Sequence, residues 1–127
     1  MIRLVIPPKD SRKIGDTKYA DVDPGTEVCF FEITAGDREA KVISWIRALT
    51  NILAVYLVIY NPEKVNLAAY PKGEFYQINA LIPSSGSMKI CLNNWSMMDF
   101  LVGASISYYG WMFPDPDLFF GIGVKAP

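Results

Sequence analysis

TAGDREAKVISWIRALT, residues 34–50, is the stretch whose reading decides the fold class. Thr34 stands three residues before Asp37, a pairing that resembles a helix capping box. Apolar residues then follow at Val42, Trp45, Ile46, Leu49, Ile52 and Leu53, a spacing close to the 3.6-residue period of an amphipathic helix. The pattern predicts a helix near 36–50.

On either side of this segment the signals change to strand. EVCFFEIT (27–34) is β-branched and aromatic, and simple alternation puts Cys29, Phe31 and Ile33 on one face. ILAVYLVIY (52–60) reads as a central strand covered on both faces. Beyond it, VNLAAY, FYQINALI and MKICLN are separated by the turn sequences NPEK, PKGE and PSSGS, which suggests an antiparallel meander.

Ser96 and Asp99 form a second capping pair, flanked by Trp95 and Phe100, and predict a second helix near 97–109 that ends at Gly110. A strand competes with it, because LVGASISYY carries glycine and β-branched residues. RLVI (3–6) and LFFGIGV (118–124) are further short strand candidates. The fold class expected is α+β: one domain with a mainly antiparallel sheet of about 5–7 strands. Residues 1–26, rich in charges and turn formers, read as an extended N-terminal arm preceding a domain at 27–127.

Composition narrows the chemistry. The 127 residues are 51% hydrophobic and 20% charged, with 12 basic against 13 acidic side chains and a net charge of -1. Such a balance creates no field to gather phosphates, so nucleic acid is not an expected partner. The chain has no histidine, which removes Ser-His-Asp and Cys-His nucleophile systems and histidine-ligated zinc. Val42–Tyr60 is mostly apolar, but Arg47 within it opposes a membrane-spanning reading. No secretory signal peptide is evident in MIRLVIPPKD, and the expected setting is cytoplasmic or intracellular, with Cys29 and Cys91 as free, mostly buried thiols. One long-range disulfide between them stays open.

Residue patterns that could carry chemistry are weak. Asp21/Asp23 and Asp115/Asp117 are D-x-D pairs in proline-containing turns, and no calcium loop surrounds them. Glu27, Glu32, Glu63, Glu74 and Asp99 could pair as acid and base only across a cleft that the sequence does not reveal. SSGSMK (84–89) and Gly121-Ile122-Gly123 lack the helix of a phosphate loop. Lys89 beside Cys91 is a slight hint of an activated thiol. Lys9, Arg12, Lys13 and Lys18 make a modest basic cluster broken by acids. No catalytic residue, metal or cofactor is expected, and the chain reads as a non-enzyme.

The strongest feature is aromatic. Trp95 to Phe120 hold eight of the seventeen aromatic residues, each able to bury about 150–250 Å². That surface predicts an interface at Tyr108, Trp111, Phe113, Phe119 and Phe120, used together with the extended N-terminal arm by a structural or assembly protein that binds itself or a larger protein complex. A virion component is a fitting setting. The alternative is a module that sequesters a nucleotide or sugar in an aromatic-lined pocket at Tyr108 and Trp111.

Overall fold

The computed structural model describes residues 11–114, and among them there is no helix. Eight strands are present: β1 (Arg12–Val22), β2 (Thr26–Thr34), β3 (Glu39–Leu49), β4 (Val55–Tyr60), β5 (Lys64–Ala69), β6 (Lys72–Ile82), β7 (Ser87–Asn94) and β8 (Leu101–Pro114). The α+β expectation is therefore corrected to all-β. RLVI and LFFGIGV lie outside the described residues.

Both expected helices are strands, and β-bulges explain the misreading. Ser44 is an extra residue in β3 where the register against β8 shifts between Ile43 and Trp45. An extra residue reverses the side-chain alternation, so the core residues Ile43 and Ile46 fall three apart, as they would on a helix. The same happens in β8, where Gly103 (φ 66°) interrupts the pairing with β1 and spaces buried Leu101 and Ala104 by three. The Ser96 cap does exist, since its Oγ accepts from the amides of Asp99 (2.9 Å) and Met98 (3.2 Å), but the turn it closes leads into β8.

Of the segment expected as an arm, Arg12–Val22 is β1, an edge strand whose apolar residues Ile14, Ala20 and Val22 are diluted by charges. Strand edges are commonly defended in this way.

The strands form two antiparallel sheets, ordered β1-β8-β3-β6 and β2-β7-β4-β5. β1 pairs with β8, β2 with β7, β3 with β6 and β4 with β5, so the chain is one long hairpin, doubled back and rolled. The expected meander is not formed: after the β4–β5 hairpin the chain crosses to the other sheet for β6 and returns for β7. This is the double-sheet jelly roll. Its core lies between the inner faces and includes Ile43, Ile46, Leu57, Met88, Ile90 and Ile106.

A bulge at Phe30 in β2 shifts the register between Cys29 and Phe31. Cys29 consequently faces outward, opposite Cys91 on β7, while Phe31 and Ile33 stay in the core. The two cysteines form a disulfide across neighbouring strands, which corrects the expectation of free thiols. The Val42–Tyr60 stretch is divided between β3 and β4, and no helix of the described residues is long and apolar enough to cross a membrane.

Candidate interaction surfaces

Three surfaces stand out once the bulges have set which way each side chain points. The first is on the outer face of the β1-β8-β3-β6 sheet. Past Ser44, residues Trp45, Arg47 and Leu49 of β3 face outward, and Trp45 pairs with Tyr109 of β8 and Gln77 of β6. Trp45 meets Phe75 edge to face with ring centroids 6.2 Å apart, and Phe75 lies 6.2 Å from Tyr109.

Two cations frame these rings. The Arg47 guanidinium sits 5.5 Å over the Phe75 ring while its Nε donates to the Gly73 carbonyl at 2.8 Å. Lys13 Nζ lies 5.9 Å from the Trp111 ring centroid. Gly15, opposite Tyr109 on β1, leaves room for that ring, because a β-carbon there would stand 3.3 Å from Tyr109 Cδ1. Across these strands, from Lys13 and Ile14 of β1 to Gln77 and Asn79 of β6, runs a groove of about 520 Å³.

The second surface is one end of the sandwich. The β3–β4 loop and the β7–β8 loop are joined by Trp95 N–H donating to Ala54 O (3.0 Å) and Asn51 Nδ2 donating to Val102 O (3.5 Å). Asn94 is fully buried beneath them. Its Nδ2 donates to Val22 O (3.0 Å) and Asp99 O (2.8 Å), and its Oδ1 accepts from Ser96 N–H (3.1 Å). This end points its apolar side chains outward: in the loop that Asn94 anchors Met97 is 88% exposed and Met98 80%, with Trp95 and Phe100 more than half exposed, and beside them are Leu53 of the β3–β4 loop (72%) and Val102 at the start of β8. Trp95 stacks on Tyr56 at 5.9 Å.

The third surface is polar and lies on the outer face of the second sheet. Glu27 accepts from the Tyr60 hydroxyl and from Asn93 Nδ2 (3.0 Å), and Lys64 Nζ approaches to 3.6 Å. Burial works against the Glu27 charge, but the Tyr60 and Asn93 hydrogen bonds with the Lys64 ammonium outweigh it and hold its carboxyl below the usual range. The Tyr60 phenol is pushed up, first by its bond to Glu27 and then by burial. A shallow cavity of about 430 Å³ adjoins this cluster. Glu27, Cys29 and Cys91 come together here as potential metal ligands, but both sulfurs are committed to the disulfide. A lowered carboxyl pKa makes this group a poorer base than a free carboxylate.

The interface residues expected from sequence are dispersed. Tyr108 turns inward, its ring perpendicular to Phe31 at 4.8 Å, and its hydroxyl is pushed up by burial and by Asp16. Phe113 is buried and Trp111 is half-buried at the groove. Phe119 and Phe120, like Asp115 and Asp117, lie outside the described residues. As a ligand pair Tyr108 and Trp111 are separated, since Trp111 lines the groove and Tyr108, half-buried, packs against the core from the other face. Asp21 is used locally, accepting from the Gly103 amide at 2.8 Å.

Sequence reasoning missed Trp45, Phe75 and Tyr109 as a group, and it treated Met97 and Met98 as helix residues. Trp45 does follow period-two alternation with one residue skipped at Ser44, but that spacing fits a helical turn equally well.

The jelly roll and its surfaces define a class of architecture that serves viral capsid subunits, lectins and cupins alike. Compared with known proteins, the sequence matches no family model and no curated protein.

Proposed function

We propose that this chain is a non-enzymatic assembly protein that binds copies of itself through the apolar end of its sandwich. The observation that carries the reading is the β7–β8 loop. From Trp95 to Val102 it has a single charged residue, Asp99, and the loop beside it, Thr50–Ala54, has none. Large apolar side chains grouped on hydrogen-bonded loops are more than the scattered exposed residues of an ordinary surface, and they mark a contact site.

A second copy is the partner this patch fits best. An apolar, nearly uncharged surface complements its own image, and a net charge of -1 offers little repulsion between copies. The jelly roll serves repetitive shells elsewhere, so a virion component remains a fitting setting.

Methionine methyl NMR over a concentration series tests the reading. The Met97 and Met98 signals are expected to shift or broaden as concentration rises, while Met88, fully buried in the core, stays unchanged and serves as the internal control. Methyl signals that ignore concentration up to the millimolar range contradict it.

A further inference from the structure

We propose that the groove on the outer face of the β1-β8-β3-β6 sheet binds a saccharide. Asn79 lines it and carries an atom that the fold leaves unsatisfied: its Oδ1 is covered and has no hydrogen-bond partner. Asn79 also has φ 46°, a left-handed conformation in the middle of β6. A strained backbone and an unused buried acceptor at one position are features that protein surfaces retain where a ligand completes them.

The surroundings specify the ligand's chemistry. Trp45, Tyr109 and Trp111 present aromatic surface, while Lys13, Gln77 and Asn79 supply donors and acceptors along the same groove. A sugar ring matches this mixture, with an apolar C–H face for one aromatic ring and hydroxyls that both donate and accept. Turned out of its covered position, the half-buried Asn79 side chain takes a hydroxyl proton on Oδ1, while Lys13 and the Gln77 amide donate back.

A flat base fits less well. Against Phe75, just outside the groove, the Trp45 plane stands at 87° and the Tyr109 plane at 42°, so the Trp45 and Tyr109 rings are not parallel and do not sandwich it. The described residues lining the groove include one ammonium and no carboxylate, which favours an acidic sugar over a neutral one. The groove lies on the sheet face and the apolar end on the loops, so occupancy here is independent of self-association.

Methyl β-glucoside, methyl β-galactoside, N-acetylglucosamine, glucuronate and the methyl glycoside of sialic acid, each titrated by two-dimensional NMR with adenosine monophosphate in parallel, test the proposal. At least one saccharide is expected to move the Trp45 and Trp111 indole signals together with the Asn79 side-chain amide. Asn79→Gly accepts the left-handed φ without strain, so its melting temperature should be unchanged or raised while saccharide affinity falls at least tenfold. Gln77→Ala, at an exposed position, should weaken binding about threefold or more and serves if Asn79→Gly misfolds. The proposal is overturned if none of the five saccharides moves these signals, if the nucleotide alone does, or if the folded variants bind as tightly as the parent.

Discussion

Gly110 of β8 lies against Val42 of β3 so closely that a β-carbon on it would overlap the Val42 carbonyl oxygen and stand 3.0 Å from Ile43 Cα. The contact sits beside the Ser44 bulge, where β3 crosses from one alternation to the other. Both partners are backbone, so neither can swing away. Gly110→Ala should therefore destabilise the fold by about 2–4 kcal/mol, read from urea denaturation. A loss below about 0.5 kcal/mol would show that the strands separate without cost.

Asn94 ties the apolar loop to the sandwich with three hydrogen bonds from a fully buried side chain. Asn94→Ala removes the donor that serves Val22 O and Asp99 O, and a cost of about 1–3 kcal/mol is expected. Hydrogen exchange should accelerate most in residues 95–100. Uniform acceleration across all strands would mean that Asn94 supports the sandwich as a whole rather than the loop.

The Glu27 cluster gives stability a defined pH window. Because the folded-state pKa of Glu27 is lowered, its contribution is present above the ordinary carboxylate value of about 4.3 and is lost as pH falls through the lower folded value. Tyr60 has the opposite sign: its raised pKa makes a contribution present below about 10 and lost as pH rises through the folded value. Tyr60→Phe should bring the Glu27 pKa back toward its usual range, seen by carbon-detected NMR of the carboxylate, and should flatten the acid limb of the stability curve. An unchanged Glu27 titration in the variant would remove Tyr60 from the cluster.

Cys29 and Cys91 are 62 residues apart in sequence and opposite each other in the β2–β7 ladder. Cross-linking a loop of that length restricts the unfolded chain, and reduction or the Cys29→Ala/Cys91→Ala double variant should cost about 2–4 kcal/mol. The flanking backbone pairs, from Thr26 with Asn94 to Thr34 with Ser87, keep β2 in register, so the folded circular dichroism spectrum should persist. Equal denaturation midpoints with and without reductant would argue that the bond adds nothing.

How legible the molecule was in its sequence depended on where the alternation breaks. EVCFFEIT, VNLAAY, FYQINALI and MKICLN are strands as their composition suggests, because β-branched and aromatic residues suit half-buried pleated surfaces. β3 and β8 imitated helices because single-residue bulges at Ser44 and Gly103 produce three-residue spacing between core positions. No local pattern marks a bulge as distinct from a helical turn when the partner strand is unknown. The same limit hid the groove: Trp45 seemed to belong to a helix's buried face, and Asn79 sits where β6 meets β3 in a shifted register that only the pairing reveals. The apolar loop was in plain view as WSMMDF, but its capping residues pointed to a helix that would have buried part of it.

The most direct test of self-association is solution mass by light scattering from micromolar to millimolar concentration, comparing the parent chain with Leu53→Ser/Met97→Ser/Phe100→Ser. All three positions are exposed, so the variant should keep the parent's denaturation midpoint. The account predicts a parent mass that climbs with concentration to a multiple of 14.2 kDa and a variant that stays at the single-chain value. A parent that remains monomeric throughout, or a folded variant that associates just as well, contradicts it.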